Sequence, residues 1–143
     1  MVRISKSTLA YMEKAAREAA DRSYSPYSSF PVGAAVLTET GEVFSGCNVE
    51  NAALGLSMCA ERSAVFQAIA GGCREIRAVV IYTPTAKAVA PCGACRQVLS
   101  EFGPKARVLS MCDSSDRLEE TLDALLPQAF DQSDIQGSPG KGE

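Results

Sequence analysis

Two groups of cysteines constrain this chain more than any other feature. Cys59-Ala60-Glu61 comes first, and Pro91-Cys92-Gly93-Ala94-Cys95 follows after the length of one helix and one strand. The 143 residues include no histidine. A zinc ion bound here would therefore be held by thiolates, and a proton shuttle beside it would be a carboxylate. Cys59, Cys92 and Cys95 supply three soft ligands, which leaves the fourth tetrahedral position open to water. Glu61, two residues beyond a ligand, is the natural acid/base for that water.

Periodicity and turn signals divide the chain into alternating helices and strands. Leu9, Met12, Ala15, Ala16, Ala19 and Ala20 recur at helical spacing and predict an amphipathic helix over Ser7–Arg22. The stretch from Ser23 to Pro31 is turn-rich and aromatic, a loop of the kind that carries function. Val32–Thr38 and Val43–Asn48 read as a β-hairpin, and Cys59–Ala70 as a helix closed by Gly71-Gly72. Ile76–Thr83 reads as a buried strand, Cys92–Phe102 as a helix stopped by Gly103-Pro104, and Arg107–Cys112 as a further strand. A short edge strand over Arg117–Thr121 and a helical turn over Leu122–Leu126 complete the prediction. Strands alternating with helices imply an α/β fold, a three-layer α/β/α sandwich around one mixed sheet of about five strands. Residues 1–135 are expected to form a single domain, with a polar, glycine-rich, disordered tail at 136–143.

Both cysteine groups fall at predicted helix starts, where free N–H groups and the helix dipole stabilise thiolates. Three thiolates on zinc make a net negative centre and a weaker Lewis acid than a histidine-ligated one. Arg62 is the obvious side chain to drain that charge, by donating to the sulfurs. Residues two apart in a helix do not share a face, so Cys59 and Glu61 can cooperate only if Cys59 sits at the cap. Two bland alternatives stand beside this reading. Cys92 and Cys95 could be a redox pair, or the three cysteines could join Cys47, Cys73 or Cys112 in a closed structural site that leaves Glu61 without a purpose. Cys47, Cys73 and Cys112 are most simply buried small hydrophobes.

Composition enters as an exclusion. Hydrophobic residues make up 46% of the chain, enough for one proper core, and the net charge of -3 offers no basic stripe for nucleic acid. The expectation is a cytoplasmic protein without a signal peptide or membrane span, with its thiols reduced.

Asn48-Val49-Glu50-Asn51 is a second constellation. If the strand continues through Glu50, Asn48 and Glu50 point to one side. An amide beside a carboxylate suits a vicinal diol, since the carboxylate accepts and the amide both donates and accepts. Phe30 is a candidate stacking platform for a base, although an aromatic in such a place is more often core.

With these residues in view, the chain resembles the small, homotetrameric cytidine deaminases, over about Tyr24 to Phe130. Cys59-Ala60-Glu61-Arg62-Ser63-Ala64 and Pro91-Cys92-Gly93-Ala94-Cys95-Arg96-Gln97-Val98-Leu99 are similar to the metal blocks of zinc deaminases. The run from Ser25 to Ala35 and the Asn48–Ala52 segment resemble that family's first block and its ribose-binding stretch. Leu125-Leu126-Pro127 followed by Phe130 resembles its C-terminal motif. The resemblance implies one zinc per subunit and a nucleoside substrate. It also implies that Phe30 contacts the base, Asn48 and Glu50 bind the ribose, the Ala60 backbone helps hold the pyrimidine, and Phe130 reaches a neighbouring subunit's site. Leu54-Gly55 stands where many members have a tyrosine, and Asp131 where a glycine is common.

The expected activity is hydrolytic deamination of cytidine and deoxycytidine to uridine and deoxyuridine, in pyrimidine salvage. A zinc-bound hydroxide would attack, and Glu61 would shuttle protons. A zinc deaminase of a modified cytosine nucleoside, such as a nucleoside antibiotic, is the nearest competitor. A polynucleotide deaminase conflicts with the acidic charge, and a non-catalytic zinc-stabilised binding module has no use for Glu61.

Overall fold

A computed structural model describes residues 1–136. The first helix, α1 (Lys6–Ala20), begins where the Ser5 hydroxyl accepts from Thr8 N at 3.1 Å, a side-chain N-cap. Its buried residues Met12, Ala16, Ala19 and Ala20 recur at three- and four-residue spacing and turn one face to the sheet. The hairpin follows as β1 (Gly33–Thr38) and β2 (Val43–Cys47), with Gly41 at φ +86° in the turn between them. Next come α2 (Ala60–Ala70), β3 (Ile76–Tyr82), α3 (Gly93–Phe102), β4 (Arg107–Met111) and β5 (Arg117–Thr121). Two short helices, α4 (Leu122–Leu125) and α5 (Gln132–Gln136), close the described chain.

The five strands form one mixed sheet in the order β2-β1-β3-β4-β5. Only β3 and β4 run parallel, with Val79 opposite Val108, and α3 supplies the crossover that a parallel pair requires. Alternation along the strands divides the core in two. Ala34, Val36, Val79, Ile81 and Val108 face α2, α3 and α4, whereas Ala35, Leu37, Ala78, Val80, Leu109 and Met111 face α1. With both faces covered, β1 is buried at every position. Close approach of α1 depends on Gly33, where a Cβ would lie 1.8 Å from the Ala16 carbonyl oxygen. The expected three-layer α/β sandwich is the observed fold.

The expected elements are all present, with ends that match or differ by a residue or two. Two were not foreseen: a 3-10 turn at Leu54–Leu56, and α5. Gln136, the first residue of the expected tail, ends α5; the rest of that expectation, 137–143, lies outside the described residues. Edge strand β5 exposes Arg117, Glu119 and Glu120, and Glu119 pairs with Arg107 at 2.5 Å.

Candidate active site

Helices α2 and α3 lie on the same face of the sheet, and their N-termini meet. Cys59 is the N-cap of α2 and Cys92 the N-cap of α3, both with extended backbone, while Cys95 lies in the first turn of α3. Cys59 therefore sits at the cap, as its cooperation with Glu61 demanded. The three sulfurs all lie within 4.8 Å of one another, with Cys59 Sγ and Cys92 Sγ 3.9 Å apart. Among the described residues this is the only group of three or more cysteine, aspartate or glutamate side chains so clustered. Three convergent thiols at two positive helix ends, one of them exposed, form a donor set that fits a tetrahedral zinc with an open position.

Electrostatics favour the thiolate at Cys59. Contact with the Cys95 thiol and the Arg62 guanidinium lowers the Cys59 pKa to about 5, and the Arg62 Nη2 donates to Cys59 Sγ at 3.2 Å. Cys95, the partner in that contact, is pushed up by it and by burial. A cation on the three sulfurs would displace the remaining protons. The bond to Cys59 Sγ turns the Arg62 side chain to the sulfur cluster, where its Nε is buried, and not along the surface as an ordinary helix arginine would lie.

Glu61, in the first turn of α2, is only 5% exposed. Burial raises its pKa, with the Cys59 thiolate adding to the effect against backbone and thiol donors that oppose it. Among the described residues it forms no salt bridge. A buried carboxyl without a cationic partner bond, set beside a metal-binding cluster, is suited to exchanging protons.

The cluster opens into a cavity of about 330 Å³, within the usual range for small-molecule sites. Phe30, Asn48, Glu50, Cys59, Ala60, Glu61 and Cys92 all line it. Asn48 and Glu50 reach it although β2 stops at Cys47. Isolated bridges from Val49 to Tyr24 and Met58 keep the segment extended, so both side chains face the same way. Asn48 is more occupied than a free diol-binding amide: its Oδ1 accepts from Val32 N at 2.8 Å and Ser23 Oγ at 2.5 Å, and its Nδ2 donates to the Phe30 carbonyl at 2.8 Å. Phe30 is 37% exposed and belongs to the cavity wall, not the core.

Phe130 is not brought to this cavity. It is 59% exposed, lines a separate depression with Leu126 and Asp131, and is held by Gln97 Nε2, which donates to its carbonyl at 2.8 Å. Cys47, Cys73 and Cys112 stay outside the sulfur cluster, each with its own polar neighbour: the Arg22 carbonyl, the Thr40 hydroxyl and the Ser114 hydroxyl. Further walls come from Ile81, Thr83, Val89 and Ala90. Nothing local in the sequence marked these, because the end of β3 and the crossover from β3 to α3 carry them to the site. Ser28 also lines the cavity; in the sequence it stood out only as part of the aromatic loop and of the Ser25–Ala35 run.

Residues 6–111 match the family model for the cytidine and deoxycytidylate deaminase zinc-binding region. The chain is 43% identical to a cytidine deaminase of Sporosarcina psychrophila, over 83% of this chain and 88% of the relative. A crystal structure of cytidine deaminase from Burkholderia pseudomallei superposes with a TM-score of 0.82 at 43% identity, covering 89% of this chain and all of the other. A more distant relative, the blasticidin-S deaminase of Bacillus cereus, is 29% identical over 69% of this chain and 76% of its own.

Proposed function

The chain belongs to the cytidine and deoxycytidylate deaminase family, zinc-dependent hydrolases of a ring-bound C–N bond, and we propose that it deaminates cytidine and deoxycytidine with Glu61 carrying the protons. The observation that carries this reading is the buried carboxyl of Glu61 beside three clustered thiols at the base of a nucleoside-sized cavity. Cys59, Cys92 and Cys95 are the residues that would hold the zinc. When bound, the ion supplies Lewis acidity, which makes a water nucleophilic near neutral pH.

The protein's own groups do the rest. Phe30 offers a face for the pyrimidine, and the Ala60 backbone, in the cavity wall at the start of α2, is its partner at the ring edge. Asn48 and Glu50 offer a donor and an acceptor to the sugar. Glu61 takes a proton from the attacking water and delivers it to ring N3, which makes C4 electrophilic. It then carries the second water proton to the amino group, which leaves as ammonia, so that water supplies both protons and the oxygen. Arg62 balances the charge of the thiolates. Thiol ligands need a reducing compartment, and the reading assigns the protein to the cytoplasm.

Phe130 supports a shared-site assembly. A large aromatic left more than half exposed outside its own chain's cavity is suited to a neighbour's, as in a homotetramer.

Ammonia release, measured across cytidine, deoxycytidine, cytosine and blasticidin S, tests the substrate assignment. Turnover of the first two supports it. Turnover of blasticidin S alone transfers the assignment to antibiotic deamination. A zinc-loaded protein inactive on all four is a binding module.

A further inference from the structure

The carboxylate at the sugar end of the cavity and the aromatic at the base end hang on one hydroxyl. Glu50 Oε1 accepts from Tyr27 N at 3.0 Å and Ser28 N at 3.1 Å, and the Ser28 hydroxyl donates to Oε2. The same Ser28 Oγ accepts from Phe30 N at 3.1 Å. A serine hydroxyl has one hydrogen to give and lone pairs to receive, so Ser28 is engaged in both directions at once. Between Ser28 and Phe30 sits Ser29, at φ +54°, a left-handed backbone uncommon outside glycine. Ser29 N closes the turn onto the Ser25 carbonyl at 2.9 Å. The turn keeps that conformation because Glu50 and Ser28 pin it from both sides.

We propose that Ser28 is a positioning residue that fixes the Glu50 carboxylate and the Phe30 ring relative to each other, so that sugar and base recognition are coupled through one side chain. This rests on the assignment of Glu50 to the sugar and Phe30 to the base. Hydrogen bonds from the Ser28 hydroxyl and from the Ser28 and Tyr27 backbone hold the Glu50 carboxyl below its usual range, which keeps it an acceptor only. A carboxylate has about four acceptor positions, and three protein donors occupy most of them. What remains for a ligand is narrow, and its direction is set by where Ser28 holds the group.

The test is Ser28→Ala in zinc-loaded protein, assayed with cytidine and with 2′,3′-dideoxycytidine, which lacks both ring hydroxyls. The expected result is a fall of about tenfold in kcat/KM for cytidine, mostly in KM, the scale of one hydrogen bond to a charged group. Zinc content stays unchanged. The dideoxy analogue loses less, through the released Phe30 alone, so the preference for cytidine shrinks, and Ser28→Thr, which keeps the hydroxyl, restores most of it. Equal losses on both substrates would mean general loosening of the loop and overturn the proposal. Glu50→Gln separates the proposal from its foundation. If that variant keeps the full preference for cytidine, the sugar assignment itself fails; if it loses the preference while Ser28→Ala keeps it, only the role of Ser28 fails.

Discussion

Gly46 of β2 and Ala64 of α2 are in backbone contact: a Cβ on Gly46 would lie 2.5 Å from the Ala64 nitrogen and 2.8 Å from the Ser63 carbonyl carbon. The helix that carries Cys59 and Glu61 at its start is thus seated directly on the hairpin. Gly46→Ala must displace α2 or the strand, because neither obstacle is a movable side chain. We expect a loss of about 3 kcal/mol or more in stability, at the upper end for overpacking. Zinc affinity falls with it. Urea unfolding and zinc titration of the variant check both, and a near-normal denaturation midpoint counts against so tight a seat.

Glu61→Gln keeps the shape of the buried carboxyl and removes its ability to exchange protons. Turnover is expected to fall at least about 10²-fold, the lower end for a general acid/base. Zinc stays bound, because Glu61 is not among the clustered sulfurs. Steady-state kinetics on protein of measured zinc content check this. Near-normal turnover removes Glu61 from the reaction.

Alanine at Cys59, Cys92 or Cys95 takes away one of three donors and is expected to strip zinc during a mild chelator challenge. Alanine at Cys47, Cys73 or Cys112 leaves zinc in place, since those thiols have separate surroundings. Elemental analysis of the six variants decides it; loss of zinc from the Cys112 variant is the outcome that would redraw the ligand set.

Arg62→Ala leaves three thiolates with less compensating positive charge, so a zinc they hold becomes a weaker Lewis acid. Activity at neutral pH falls about tenfold or more, in the range for a group that supports metal ligands. The sign of the shift follows from charge: removing a cation makes proton loss harder, so the acidic limb of the kcat profile moves to higher pH. An unmoved limb shows that Arg62 only packs against the sulfurs.

Phe130→Ala is expected to raise KM while leaving zinc content unchanged, if the ring closes a neighbour's cavity. Mixed with Glu61→Gln subunits, it should recover part of its substrate affinity, because some sites then combine an intact Glu61 with a donated Phe130. Light scattering reports the assembly. A monomer, or verified hybrids that recover nothing, breaks the shared-site assignment.

Much of this architecture was legible from local pattern alone. The α1 stripe, the hairpin pattern and the Gly71-Gly72 and Gly103-Pro104 stops bounded their elements to within a residue or two, because each is a short-range effect. The sulfur cluster was legible because Cys59-Ala60-Glu61 and Pro91-Cys92-Gly93-Ala94-Cys95 resemble the zinc deaminase pattern and both fall at predicted helix starts. The partners of Asn48 and Glu50 were not. Their hydrogen bonds run to Val32, Phe30, Tyr27 and Ser28, remote in sequence and joined only once the aromatic loop folds over the end of β2. That is why an amide expected to be free for a diol turned out to be largely spent on the loop. The turn at Leu54–Leu56 escaped notice because three residues are too few to show a period.

The β5 edge has a consequence for how copies of this protein can meet. A terminal strand offers unpaired N–H and C=O groups to any other strand that comes alongside, which is how sheets grow from molecule to molecule. Here that rim carries Arg117, Glu119 and Glu120, whose charges would have to be stripped of water for a second sheet to dock. Growth by strand addition is discouraged at that rim. An assembly that brings Phe130 to another copy's cavity can therefore form by closed, face-to-face contacts, without the β5 rim serving as a seed for open-ended fibres.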